Sequence, residues 1–209
     1  MRGLFITFEG VEGCGKTTQI ERLRQHLEAQ GHTVLMTREP GGTPIAEAIR
    51  ELLLDPAHDA LSPAAELLLY EAARAQHVDE RIRPALESGT TVLCDRFADS
   101  TTAYQGAGRG LPREELEHLH RIATGDVWPD LTIVIDLPVE AGLARARARG
   151  RADRMEQQDV AFHERVRQGF LELAARNPER VRIIDGTQSI DEIAAAIRAL
   201  LAGLLTARA

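Results

Sequence analysis

The stretch LFITFEGVEGCGKTT, residues 4–18, joins a short apolar run to a glycine-containing loop. The run LFITFE predicts a buried β-strand, and the apolar spacing after the loop predicts a helix. Between them, GVEGCGKT at 10–17 matches the pattern G-x-x-x-x-G-K-S/T in full. In this pattern, backbone N–H groups and the helix start hold the phosphates of a nucleotide. The stretch therefore predicts a phosphate loop between a parallel strand and a helix.

Two side chains of the loop have chemistry of their own. Lys16 is expected to reach the β- and γ-phosphates, and the Thr17 hydroxyl to lie on Mg²⁺. Lys16 is the one lysine among 25 basic residues, and a compact ammonium fits between two phosphates where a planar guanidinium does not. The predicted nucleotide-binding residues are Gly10, Val11, Glu12, Gly13, Cys14, Gly15, Lys16, Thr17 and Thr18.

Four further apolar runs alternate with helical patterns along the chain. They are TVLMT at 33–37, TVLCD at 91–95, LTIVID at 131–136 and VRIID at 181–185. Strands separated by helices predict an α/β fold, a doubly wound five-stranded parallel sheet with flanking helices. The 209 residues suit one domain, 1–209, without repeats or a linker. Ligands of such sheets bind at the carboxyl ends of the strands.

The composition excludes several classes of protein. A net charge of −7 argues against a general nucleic-acid binder. No apolar stretch approaches the roughly 20 residues of a membrane span. Two cysteines make no disulfide framework, and the first residues show no signal-peptide pattern. We therefore expect a cytoplasmic protein with no nucleic-acid or membrane partner.

Arginines follow the second and third strands. In TREPGGT at 37–43, Arg38 is placed either to meet an anion or as a surface arginine on an ordinary turn. In CDRFADSTTAYQGAGRG at 94–110, Arg96 suits bidentate phosphate recognition. Asp95 either orients Arg96 or acts through water on Mg²⁺, and a structural Asp–Arg pair is the alternative.

A run of arginines follows the fourth strand, in LARARARGRADRME at 143–156. Like charges four apart on a helix cost roughly 0.2–0.5 kcal/mol each. The run is therefore either a solvated face or the place where a polyanion docks, and Gly150 suits a lid over about 143–157.

Other catalytic signatures are missing from the sequence. There is no N-K-x-D guanine reader, no serine elbow and no Cys/His metal cluster. The seven histidines are scattered, and we expect His77 and His163 on ordinary helix surfaces.

The chain carries the phosphate loop, R-E-P-G-G, A-A-R-A-Q, D-R and A-Y-Q-G in this order. With these motifs it resembles the bacterial thymidylate kinase family over nearly its whole length. The resemblance implies a P-loop kinase fold and transfer of the ATP γ-phosphoryl group to dTMP, giving ADP and dTDP for dTTP biosynthesis. It further implies Mg²⁺ and a homodimer. Two rivals stay open, another small-molecule kinase and a nucleotide-binding regulator without catalysis.

The resemblance also implies the acceptor site. Arg38 and Arg96 match the family's anchors for the 5′-phosphate of dTMP. Tyr70 stands where the family usually has a phenylalanine stacked on thymine, and a tyrosine can stack as well. The other implied contacts are Arg74 at a thymine carbonyl, Ser100 and Gln105 at the base edge, Tyr104 under the sugar, and Glu12 near the 3′-hydroxyl.

Some relatives carry a catalytic arginine in the loop, at the position of Gly13. The bacterial sub-type supplies it from the lid, which the run of arginines fits. The leading lid candidates are Arg149 and Arg154, so the implied catalytic set is Lys16, Asp95, Arg96, Arg149 and Arg154. The implied Mg²⁺ contacts are Thr17 and, through water, Glu9 and Asp95.

Overall fold

Five parallel strands form the sheet, in the order β2-β3-β1-β4-β5. The computed structural model describes residues 2–148, 150 and 152–208. The strands are β1 Phe5–Glu9, β2 Val34–Arg38, β3 Thr91–Asp95, β4 Leu131–Asp136 and β5 Val181–Asp185. β1 lies at the centre, with Phe5 opposite Val92 and Ile6 opposite Leu131. The predicted doubly wound sheet is confirmed, and the predicted strand bounds differ from these by at most one residue.

Helices cover both faces of the sheet. They are α1 Lys16–Ala29, α2 Pro44–Leu54, α3 Pro63–His77, α4 Arg83–Glu87, α5 Ala98–Thr101, α6 Arg113–Thr124, α7 Val139–Arg147, α8 Val160–Arg176 and α9 Ile190–Arg208. α3 begins at Pro63, because the Ser62 hydroxyl accepts from the Ala65 N–H at 3.3 Å and Pro63 occupies the first turn.

Two π-helical segments interrupt the helical layer. Val78–Ile82 joins α3 to α4, so the helical stretch from Pro63 to Glu87 consists of three pieces. Thr102–Gly108 continues α5 and carries two of the predicted acceptor residues, Tyr104 and Gln105. Such segments are frequent at functional sites. In the part of the chain that the structure describes, no helix has both the length and the apolar run that crossing a membrane takes.

The core follows from the alternation of side chains along β1. Ile6 and Phe8 face α1 and α9, where they join one apolar cluster. Phe5 faces the opposite side and packs with Phe97 and with the residues around α4. Because strand residues alternate between faces, this five-residue strand anchors both layers at once. The central strand thereby fixes the phosphate loop that follows it.

Candidate active site

A cavity of about 620 Å³ opens at the carboxyl ends of β1, β2 and β3. This volume is typical of a small-molecule site. Its walls come from the phosphate loop, the ends of β2 and β3, one side of α3, and the loop after β5. The wall residues that the sequence predicts are Glu12, Gly13, Cys14, Gly15, Lys16, Thr17, Thr18, Arg38, Tyr70, Arg74, Asp95, Arg96, Ser100, Tyr104 and Gln105.

The phosphate loop folds around its own lysine. Gly13 and Gly15 have φ of 69° and 100°, a region that favours glycine. Lys16 Nζ donates to the carbonyl oxygens of Gly10 and Val11, at 3.3 and 3.4 Å. Gly10 and Val11 lie behind the wall and supply these carbonyls, so the loop holds the ammonium at the cavity.

Thr17 and Asp95 bring two oxygen donors together at the edge of the cavity. Thr17 Oγ1 donates to Asp95 Oδ2 at 3.3 Å, with Thr17 exposed to solvent. Hard oxygen ligands suit Mg²⁺, which takes one or two protein ligands and leaves the rest to phosphates and water. The described residues contain no group of three His, Cys, Asp or Glu side chains that could hold a metal ion.

Glu9 lies apart from this pair. It is fully buried, and its two carboxylate oxygens accept from the Phe97 N–H at 2.7 Å and the Ser100 hydroxyl at 2.5 Å. Burial, helped by the nearby Asp99, raises the pKa of Glu9 to about 8. Glu9 therefore braces the backbone after β3 in this structure, and its predicted contact to Mg²⁺ stays a prediction.

Arg96 is fixed with part of its guanidinium free. It is the one non-glycine among the described residues with positive φ, 71°. Nη1 donates to the Gly10 carbonyl at 3.1 Å and the Ser100 hydroxyl at 3.2 Å, and Nη2 donates to Glu12 Oε1 at 3.1 Å. Among the described residues, none accepts from Nε or the second Nη2 hydrogen. This edge is a ready bidentate donor for an oxyanion.

Glu12 ties Arg96 to Tyr104. Its Oε1 accepts from the Tyr104 hydroxyl at 2.5 Å as well as from Arg96, which also lies over the Tyr104 ring at 4.9 Å. Its Oε2 lies 3.3 Å from His163 Nδ1. Burial alone would raise the pKa of Glu12, but His163, Arg96 and Lys16 outweigh it and lower the pKa. The carboxylate is therefore ionised and faces the cavity.

The far wall carries the residues expected at a nucleobase. Arg74 is 2% exposed and lies between Glu39 and Glu71. Gln105 donates through Nε2 to Glu66 at 2.8 Å, which leaves its carbonyl oxygen as an acceptor. Tyr70 is half-buried on the same wall, and burial raises the pKa of its hydroxyl. The structure thus gathers the predicted base contacts on one side of the cavity.

Arg38 lies at the cavity mouth beside two charged side chains, Glu47 and Arg50, that the sequence analysis did not predict there. Its side chain is 55% exposed and pairs with Glu47 at 3.0 Å. Arg50 of α2 also lines the cavity and donates to the Pro40 carbonyl at 2.7 Å, after a cis peptide bond between Glu39 and Pro40. Arg50 belongs to no motif, and its one signal is its place two turns into the helix that follows β2.

Comparisons with known proteins agree on one family. The sequence profile described as Thymidylate kinase matches residues 8–197. The thymidylate kinase of Thermomicrobium roseum is 58% identical over 194 residues, 92% of this chain and 91% of that protein. That of Geobacter sulfurreducens is 55% identical over 205 residues, 95% and 96% of the two chains. The chain belongs to the thymidylate kinase family. The crystal structure of thymidylate kinase from Ehrlichia chaffeensis matches with a TM-score of 0.80 and 34% identity, covering 96% of this chain and 100% of that one.

Gly13 stands where some relatives carry an arginine in the phosphate loop, and its surroundings leave no room for a side chain. A Cβ atom on Gly13 would lie 2.1 Å from the Gly142 carbonyl oxygen of α7, and one on Gly142 would lie 2.3 Å from the Glu12 carbonyl oxygen. Two glycines let the phosphate loop and α7 touch through their backbones. An arginine at position 13 does not fit this packing, and a lid-supplied arginine stays a prediction.

The lid arginines have different surroundings. Arg149 lies outside the described residues. Arg154 is 4% exposed, pairs with Glu66 at 2.7 Å and donates to the Leu53 carbonyl at 2.6 Å, away from the cavity wall. Arg145, which the sequence does not single out, lines the cavity. The charge run therefore predicts a basic lid without telling which side chain faces the ligand.

The two histidines expected on helix surfaces are buried. His77 and His163 are both 0% exposed, so that prediction was wrong. Both lie beside a buried carboxylate, Glu39 for His77 and Glu12 for His163. Apolar periodicity did not find them, because each faces another polar group in the interior.

Proposed function

We propose that this chain transfers the γ-phosphoryl group of ATP to the 5′-phosphate of dTMP, giving ADP and dTDP. The observation that carries the proposal is one cavity with two positive poles, the Lys16 loop and the free edge of Arg96. The first suits a donor triphosphate, and the second suits an acceptor phosphate. A base-sized wall with Tyr70 and Arg74 lies on the acceptor side.

The chain's contribution to the chemistry is electrostatic. The acceptor is a phosphate monoester whose second pKa is about 6, so its oxygen is already anionic near neutral pH and needs no strong base. The task is to bring two polyanions together in line. Lys16 neutralises the transferred group, and Arg96 holds the acceptor oxygen, each placed by carbonyl or carboxylate partners before substrate arrives.

Mg²⁺, where present, would be held by Thr17 and Asp95 and would neutralise phosphate charge there. Both residues lie beside Lys16 and supply the hard oxygen atoms that this ion prefers. Glu9 would reach it only through water, since its own oxygens bind Phe97 and Ser100.

The remaining acceptor contacts suit deoxythymidine. Tyr70 would stack on the base, Arg74 would donate to a thymine carbonyl, and Gln105 and Ser100 would meet the base edge. Glu12 would accept from the 3′-hydroxyl, and Tyr104 would occupy the space of a 2′-hydroxyl. A lid arginine, Arg149 or Arg154, would complete the charge around the phosphoryl group. Arg154 would have to leave Glu66 to do so.

We also propose the expected homodimer, built on α2, α3 and α6 within the single domain 1–209. α2 packs on α3, and α3 packs on α6. Large apolar side chains are exposed on all three, namely Ile45, Leu52, Leu68 and Ile122. Sedimentation should give twice the 23.0 kDa chain mass, and a monomer at micromolar concentration would contradict the dimer. A cytoplasmic location accords with nucleotide substrates and stays a prediction.

The proposed reaction is tested by following the label of γ-labelled ATP mixed with dTMP. The label should appear in the β-phosphate of dTDP. Lys16→Met should lower the transfer rate at least about 100-fold, the scale of losing one preorganised donor, with an unchanged circular dichroism spectrum. Label found only in inorganic phosphate would refute transfer to an acceptor.

A further inference from the structure

A line of buried polar side chains runs from the end of β2 to Arg74. Thr37 Oγ1 and His77 Nε2 are 2.6 Å apart. His77 Nδ1 lies 3.0 Å from Glu39 Oε1, and Arg74 Nε donates to Glu39 Oε2 at 2.8 Å. His77 thus stands directly behind the carboxylate that binds Arg74.

The same pattern is repeated on the other side of Arg74. Arg74 Nη1 donates to Glu71 Oε1 at 2.6 Å. His120 Nδ1, from α6, lies 2.9 Å from that oxygen, and His120 Nε2 lies 3.0 Å from Thr102 Oγ1. Each carboxylate on the arginine is therefore backed by a histidine, and each histidine by a threonine hydroxyl.

The hydrogen bonds of this line lie in the protein interior, away from bulk water. His77, Arg74, His120, Glu39 and Glu71 are all 5% exposed or less. Ionised carboxylates only accept hydrogen bonds, so each histidine must donate from Nδ1 and each threonine hydroxyl can donate to Nε2. Burial would raise the pKa of Glu71, but Arg74 and His120 outweigh it and lower the pKa. Both carboxylates depend on donors that water cannot replace.

The two carboxylates and their partners fix the arginine in one orientation. Nη2 donates to the Phe97 carbonyl at 3.2 Å and to Thr101 Oγ1 at 2.9 Å. With Glu39 and Glu71, four of the five N–H groups of Arg74 have partners among the described residues. The fifth, on Nη1, remains for a ligand in the cavity that Arg74 lines.

We propose that His77 and His120 are positioning residues for the nucleobase of the acceptor. They hold Glu39 and Glu71, which in turn aim the remaining N–H of Arg74 at a base carbonyl. The inference rests on the proposed function, because it takes the acceptor to be a pyrimidine nucleotide. Replacing a histidine keeps the charge of Arg74, but the guanidinium is then held less firmly in the orientation that points its remaining N–H at the base.

The test compares His120→Leu, His120→Asn and His32→Leu with the wild type. Asn can place an amide donor near the Nδ1 position, whereas Leu cannot donate. His32 is exposed, lies outside α2, α3 and α6, and serves as the matched control. KM for dTMP, KM for ATP, kcat and the thermal midpoint are measured for each. His77→Leu and His77→Asn repeat the test from the other side.

His120→Leu should raise KM for dTMP about tenfold, with KM for ATP and kcat within twofold of wild type, a tenfold change being about 1.4 kcal/mol. His120→Asn should recover most of the loss, and His32→Leu should change nothing. Parallel rises in both KM values, equal losses in Leu and Asn, or an unchanged KM for dTMP would overturn the proposal. A wild type that does not use dTMP at all would instead overturn the proposed reaction.

Discussion

Arg96→Lys separates charge from geometry at the acceptor pole. The substitution keeps the positive charge and keeps a side chain at φ 71°, so the backbone strain is the same in both proteins. It removes the planar edge of Nε and Nη2, where Glu12 accepts one Nη2 hydrogen and no described residue accepts the Nε hydrogen. A lysine ammonium can replace one of the two hydrogen bonds that this edge would make to a phosphate.

The expected size follows from the lost hydrogen bond. A hydrogen bond to a charged group contributes about 1.5–3 kcal/mol, and about 1.4 kcal/mol is tenfold in a rate or binding constant. Arg96→Lys should therefore lower kcat/KM for dTMP about 10- to 150-fold. The affinity for ATP, measured by titration without acceptor, should stay within twofold, because the triphosphate is expected on the Lys16 loop.

The matched control is Arg167→Lys. Arg167 makes a bidentate ion pair, in which Nε and Nη2 donate to the two carboxylate oxygens of Asp136 at 2.7 and 2.8 Å, but it does not line the cavity. Its loss should leave KM for dTMP within twofold of wild type. Equal losses of dTMP use and ATP binding in Arg96→Lys would refute the assignment of Arg96 to the acceptor.

Three further outcomes are expected. Because we propose that Tyr104 occupies the space of a 2′-hydroxyl, kcat/KM for UMP should be roughly tenfold or more below that for dUMP, and equal values would contradict this role. In EDTA, folded Glu9 keeps its proton up to about pH 8 while the unfolded chain loses it near pH 4.5. Between these two pH values, the free energy of unfolding of the wild type relative to that of Glu9→Gln should therefore fall by about 1.4 kcal/mol per pH unit. A difference between the two proteins that does not change with pH would exclude the raised pKa. Gly13→Ala should lower the thermal midpoint much more than Gly31→Ala, because both have positive φ but only the first meets a backbone oxygen, at 2.1 Å. Equal shifts would mean that the loop and α7 are not in contact.

The phosphate loop and the strands could be predicted because their determinants are local. The loop needs glycines and a lysine at fixed spacing, and each buried strand is a short β-branched run. The carboxyl ends of parallel strands meet at one edge, so Arg38 and Arg96 could be placed near Lys16 before any coordinates. The family resemblance supplied the base contacts, and the structure brings those residues to the same cavity.

The interior polar contacts could not be predicted, because they depend on which way each side chain turns. The place of Glu9 at the end of the first strand could be predicted. No local feature of the sequence indicates that its oxygens bind Phe97 and Ser100 rather than face the cavity. His77 and His163 have helical spacing that reads as surface, and only the packing of distant elements buries them. In the lid, a run of similar arginines contains no signal that Arg145 faces the cavity while Arg154 faces Glu66.

The most direct measurement is an ADP-release assay with Mg·ATP and a panel of acceptors, dTMP, dUMP, dGMP, UMP, AMP and none. The proposed site predicts strong turnover with dTMP, weaker turnover with dUMP, and little with the others, since we propose that the base wall, Glu12 and Tyr104 together select a deoxythymidine nucleotide. A preference for AMP or dGMP would keep the phosphate loop and discard the thymine site. ATP binding without turnover on any acceptor would contradict catalysis itself.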